Sequence, residues 1–260
     1  MLSRRVGICL LLALTIVVVI VGLLVPRSAQ PLSYHEFADR RGWLGIPDFG
    51  NVASNIVFGA AGLAGLWYLG ATSGGEPFIE PREKWFYVFI FLGLVLTAFG
   101  SSYYHLAPDN ARLVWDRLPM TVVFMSLVAA VVAEGISLPA GLGLLPVLLG
   151  IGIFSVLEWY SSELDGRGDS RFYAGVQVYA VLVLLVALLL PPRYTRSSYF
   201  AVIACLYVVA KICETEDRQI YSLGHFLSGH TLKHLAAGVA GFWILRMLAK
   251  RQPIENQSAR

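Results

Sequence analysis

The sequence predicts an all-α protein, a polytopic transmembrane helical bundle. Three observations carry that prediction. Of 260 residues, 57% are hydrophobic and only 14% are charged, where ordinary soluble domains carry about 25% charged residues. Apolar runs recur along the whole chain, each near the roughly 20 residues a helix needs to cross a bilayer. No polar stretch between them can hold a soluble domain, the longest being residues 26–49.

In order, eight segments read as spans: 6–25, 50–70, 84–105, 118–136, 141–160, 172–191, 197–213 and 226–248. The first follows Arg4 and Arg5 and precedes Ser28-Ala29-Gln30, which has the outline of a signal peptide. Its apolar core of about 20 residues exceeds the roughly 7–15 of a signal core, so it reads as an uncleaved anchor. The second span carries Gly62, Gly65 and Gly70, read as close-packing positions. Trp85, Tyr87, Trp159 and Tyr160 sit near span ends and read as an interfacial aromatic belt. Arg4, Arg5, Arg246, Lys250 and Arg251 flank apolar runs and read as membrane-edge anchors. With a net charge of only +3, nothing implies a nucleic-acid partner. Positive-inside counting places both termini in the cytoplasm. Cys9, Cys205 and Cys213 lie in or at the end of apolar segments without CxxC spacing, and read as buried thiols.

Counting passes locates a chemically active face without fixing absolute orientation. With eight spans, the end of the third, the start of the fourth and the start of the eighth share one side of the membrane. His105, Asp116, His230 and His234 all fall there. So do the other two histidines, His35 and His225, and about twelve of the seventeen acidic residues, among them Asp39, Asp48, Asp165, Glu214 and Asp217.

Ionisable groups within spans are costly and mark function by default. His230-Thr231-Leu232-Lys233-His234 puts two imidazoles on one helix face, a turn apart. With His105 they make three neutral nitrogen donors, a common catalytic zinc set that leaves one position open. Zinc lowers the pKa of bound water to about 7. Asp116 is a candidate proton carrier, and Ser101, one turn before His105, a candidate oxyanion donor. Plainer readings stand beside these. Asp116 can be a helix N-cap or the partner of Arg112 or Arg117, and Ser101 a small packing residue. His35 and His225 read as interfacial polar residues.

Ser101-x3-His105, then Asp116 within Leu113-Val114-Trp115-Asp116-Arg117-Leu118-Pro119-Met120, then His230-x3-His234 together resemble the alkaline ceramidase family. That family lies within the superfamily that also holds the progestin/adipoQ receptors. The resemblance runs from about residue 48 to 248. It implies a seven-helix core, so the segment at 6–25 looks like one extra N-terminal helix. The chain then divides into an anchor helix and polar loop (1–47), a seven-transmembrane hydrolase core (48–249) and a polar C-terminal tail (250–260). By resemblance, His105, His230 and His234 bind zinc, Asp116 activates water and transfers protons, and Ser101 stabilises the oxyanion. The expected activity is hydrolysis of the amide of a ceramide-like membrane lipid to a fatty acid and a long-chain amine. The family also carries a calcium site built from several acids and an asparagine before its first core helix. Here Asp48 fits that pattern, the remaining acidic cluster is missing, and Arg40 and Arg41 stand nearby, so weak or absent calcium dependence is expected. Two rivals remain: a lipid-sensing receptor of the same superfamily with a structural zinc, and a transporter whose histidines relay protons.

Overall fold

The computed structural model describes residues 2–72 and 77–254. Ten α-helices are connected by short loops and two 3₁₀ turns, with no β-strand among the described residues. They are α1 (Arg4–Leu24), α2 (Phe49–Ser54), α3 (Ile56–Ala71), α4 (Lys84–Leu106), α5 (Asn110–Gly135), α6 (Leu138–Leu164), α7 (Arg171–Ala187), α8 (Tyr199–Thr215), α9 (Asp217–Ser222) and α10 (Gly229–Lys250). Taking α2 with α3 as one rod, six helices are long and apolar enough to cross a membrane; α7 and α8 are shorter.

The outside of the bundle is apolar. Leu12, Ile16, Trp67, Phe99, Val147 and Phe154 are all exposed. The interior carries hydroxyls, with Thr97, Ser101, Thr121, Ser126 and Ser155 all buried. This polarity, greasy surface over a partly polar interior, suits a hydrocarbon surround. Helix α1 lies at the edge of the bundle along α7, joined to it by a Thr15–Tyr179 hydroxyl contact of 3.0 Å.

Close helix contacts follow the small residues. A Cβ on Gly65 would stand 2.2 Å from the Phe91 ring, and one on Gly62 would stand 2.7 Å from the Phe91 carbonyl oxygen. Both are packing positions, as expected; Gly70, with nothing within 4 Å, is not. The tightest seam joins α4 to α5. Pro119 has no N–H, so it leaves the carbonyl of Trp115 without its usual donor four residues on. Gly100 packs against that carbonyl: an added Cβ would stand 2.0 Å from the Trp115 oxygen.

Several expectations need correcting. Helix α5 starts eight residues before the predicted span, because Asp109 caps it by accepting the Arg112 N–H at 2.7 Å. Asp116 is therefore inside a helix and is not its N-cap. Nor is it ion-paired with Arg112 or Arg117: Arg112 stacks over Tyr103 and Arg117 turns toward Trp159. Tyr87 and Trp159 are not interfacial but wholly enclosed. Tyr87 reaches Glu134 at 2.6 Å, and the Trp159 indole N–H reaches Glu163 at 3.2 Å. Arg251 is not an edge anchor. It is buried, donating to Glu134 at 2.5 Å and Tyr87 at 3.0 Å. The segment 251–254 is stitched to residues 193–195 by backbone hydrogen bonds, so this part of the expected tail is held; residues 255–260 lie outside the described residues. Cys9 and Cys205 face outward instead of being buried, on the apolar outer surface.

The Gly100 contact gives a direct check on the α4–α5 seam. Gly100→Val should destabilise the purified protein by about 1–3 kcal/mol through overpacking, read as a lower unfolding midpoint. Gly70→Ala should leave the midpoint unchanged. Equal midpoints for the Gly100→Val variant and the unmodified protein would mean that the two helices do not meet there.

Candidate metal centre

His105, on the last turn of α4, meets His230 and His234, on the first two turns of α10. Their candidate ligand nitrogens all lie within 4.8 Å of one another, and all three residues are buried. The ring centroids form a near-equilateral triangle of 4.8, 5.0 and 4.8 Å. Such a group can hold a metal ion. The donors fit a metal for a physical reason. Both nitrogens of His105 and Nε2 of His230 are shielded from solvent and have no hydrogen-bond partner in the protein. Buried polar atoms are normally satisfied; a cation between the rings would take one lone pair from each imidazole, leaving the second nitrogen of His105 as an N–H without a hydrogen-bond partner.

The surrounding structure orients the rings. His234 Nδ1 lies 3.1 Å from the Asn51 carbonyl oxygen and 2.8 Å from Ser54 Oγ. A carbonyl only accepts, so Nδ1 carries the proton and Nε2 keeps its lone pair for the centre. That carbonyl is available because the rod of α2 and α3 breaks at Asn55, whose N–H turns to Val52 at 3.3 Å instead of Asn51. Ser54 Oγ and Asn55 Nδ2 also donate to Asn51, each at 3.0 Å. At the start of α10, Ser228 caps the helix. Asp217 accepts the backbone N–H of His230 at 2.7 Å. Gly229 permits the approach: a Cβ there would stand 2.1 Å from the Cys213 carbonyl oxygen.

The N-terminal loop closes the site. The Phe37 ring packs on His105 at 4.6 Å and His230 at 4.5 Å. The neighbouring Ala38 N–H is held by the same Asp217, at 2.8 Å. His35 is not a candidate ligand, since its two nitrogens contact Tyr104 at 2.8 Å and Asn110 at 3.0 Å. His225 lies in a loop against Tyr221. Within the loop, Arg41 grips Asp39 through two bonds of 2.8 Å and holds its carboxyl below the usual range. Asp48 precedes α2 in a left-handed conformation, and burial raises its carboxyl.

Ser101 and Asp116 stand side by side across the Gly100 seam, both buried, with the Ser101 hydroxyl beside the Asp116 carboxyl. Together with His234 they line one end of a cavity of about 230 Å³. The far end is apolar, walled by Leu94, Leu127, Leu184, Ile203 and Ile244. All five predicted site residues therefore converge. The sequence reading missed the polar wall facing Asp116. Lys233 donates to Glu214 at 2.5 Å, Tyr34 donates to the same carboxylate at 2.9 Å, and Lys211 also pairs with it. The available signal was Lys233 itself, an ammonium between two histidines in an apolar span. No protein-family model matches the chain, and no curated protein sequence matches it.

Removing two of the three donors should empty the site. The His230→Ala, His234→Ala double variant should lose stoichiometric divalent metal, while Ser54→Ala should weaken metal affinity by about 10–100-fold through the lost ring support. Elemental analysis and competition with a metal indicator check both. Full metal content in the double variant would refute the assignment.

Proposed function

We propose that this protein is a multi-pass membrane hydrolase, zinc-dependent, that cleaves the amide bond of a ceramide-like lipid. The observation that carries this reading is the cluster of three buried imidazoles, one of which, His234, lines the same cavity as Asp116 and Ser101. The similarity of Ser101-x3-His105, Asp116 and His230-x3-His234 to the alkaline ceramidases supports it. In this reading α2 through α10 are the seven-pass core and α1 is the added helix.

The three imidazoles would hold a zinc ion, whose Lewis acidity would make water a usable nucleophile near neutral pH. The protein's own groups do the rest. Asp116 takes a proton from the attacking water as the C–O bond forms. The Ser101 hydroxyl, beside Asp116, donates to the carbonyl oxygen as negative charge develops there. Asp116 then delivers its proton to the amine nitrogen as the C–N bond breaks, releasing a fatty acid and a long-chain amine. The Leu127, Leu184 and Ile244 end of the cavity holds hydrocarbon, and that remote contact positions the amide. Phe37 and the N-terminal loop keep bulk water from the opposite side of the rings.

The deciding experiment incubates purified protein with acyl-labelled ceramides and simpler long-chain amides. Fatty acid should be released, cease on chelation and return with zinc. Short, water-soluble amides should turn over far less efficiently. Tight lipid binding without turnover would instead make the protein a receptor with a structural metal. Asp116→Asn should keep the metal and the fold while losing about 10²–10⁴-fold in turnover, the usual contribution of a general acid–base group; loss of metal would make Asp116 a ligand.

Calcium should stimulate turnover weakly or not at all, because Asp39 is committed to Arg41. A saturable, severalfold gain that disappears in Asp48→Ala would contradict this.

A further inference from the structure

Arg117 follows Asp116 on α5 and faces the same cavity. Its side chain is buried, yet it takes part in none of the ion pairs among the described residues. Its guanidinium lies 4.1 Å from the ring centroid of Trp159, 4.5 Å from that of Tyr173 and 5.8 Å from that of Tyr34. Nη2 donates to Gln30 Oε1 at 2.6 Å, and Nη1, shielded from solvent, has no hydrogen-bond partner. The other buried arginine among the described residues, Arg251, is neutralised by Glu134 at 2.5 Å. The lysines of the cavity wall, Lys211 and Lys233, both hold Glu214.

An unpaired buried charge is strongly unfavourable. The aromatic faces offset part of that cost through cation–π contact and fix the plane of the guanidinium. They do not supply an acceptor for Nη1. A ligand in the cavity can supply both the acceptor and a negative charge in direct contact. One amino group without an acceptor, on a guanidinium with no carboxylate in ion-pair contact, matches a compact, singly charged acceptor. A phosphate monoester, with close to two charges and three acceptor oxygens, would ask for more donors than this wall leaves free.

We infer that Arg117 holds a carboxylate on the head group of the lipid, beside the bond that Asp116 and Ser101 address. The substrate class is then a long-chain amide whose amine side bears a carboxylate, an N-acyl amino acid. This rests on the reading of the cavity as a lipid-amide site and changes its amine side from a long-chain base to an amino acid, so that hydrolysis would release a fatty acid and an amino acid. Arg117 orients the head group, and the apolar end of the cavity takes the acyl chain.

Binding separates this inference from the hydrolase reading. N-palmitoylglycine, its methyl ester and palmitate share one acyl chain and are titrated against the detergent-solubilised full chain. The Asp116→Asn variant is used so that nothing is consumed. The acid should bind roughly tenfold or more tightly than the ester, as expected for a hydrogen bond to a charged group. Arg117→Gln should abolish that preference, and Arg117→Lys should retain part of it. Should Arg117→Gln fail to fold, the acid-to-ester ratio in the Arg117-containing protein decides alone. Equal binding of acid and ester, or an unchanged preference in Arg117→Gln, overturns the inference. Palmitate binding as tightly as N-palmitoylglycine, with the same Arg117 dependence, also overturns it, because the carboxylate site would then belong to the acyl side. An Arg117-dependent preference for the acid with no turnover by the unmodified protein would support this inference and sink the hydrolase reading.

Discussion

Three imidazoles packed together away from water, two of them with nitrogens that no protein group satisfies, set the terms for the rest of this structure. Each unsatisfied buried donor or acceptor costs about 1–3 kcal/mol, and the cluster holds such nitrogens on both His105 and His230. Neutral imidazoles would scatter toward polar partners unless something between them accounted for their arrangement. The protein spends several features on holding them there. The break at Asn55 directs a backbone carbonyl to His234. Asp217 ties the start of α10 to the N-terminal loop. Gly229 and Gly100 remove the side chains that would keep neighbouring helices apart.

The same arrangement explains how an apolar shell carries a polar interior. The outward faces of α1, α3, α4 and α6 are rich in exposed aliphatic and aromatic residues. Inside, polar chemistry is gathered at two ends. One end holds the histidines, Asp116, Lys233 and Glu214. The other holds Arg251, Glu134, Tyr87 and the Tyr194–Glu83 pair, which fastens the loop between α7 and α8 to the turn before α4, while backbone hydrogen bonds tie the chain after α10 to the same loop. The first group borders a cavity with partnerless donors. The second is paired within itself apart from one nitrogen of Arg251, and reads as a fastening.

Much of this was legible in the sequence where the signal is local or topological. The i, i+4 histidines needed only helical geometry, and counting passes was enough to bring His105 and Asp116 to their side. Residues whose role depends on a distant partner were not legible. Tyr87 and Trp159 look interfacial by position, yet each is drawn inward by an acid on another turn or helix, Glu134 or Glu163. Arg251 looks like a membrane-edge cation until Glu134, 117 positions earlier, is known to face it. Phe37 carries no sequence signal for covering a histidine cluster. The short break at Asn55 was also invisible, because asparagine in an apolar run announces neither a turn nor the carbonyl that it releases.

The central claim is that the imidazole cluster is a metal centre. X-ray absorption at the zinc edge on purified protein tests it most directly. The account predicts one zinc per chain, with three nitrogen ligands at about 2.0–2.1 Å and a fourth light ligand that is not from a histidine. A protein that binds zinc far below one equivalent, or through sulfur from its cysteines, would contradict it.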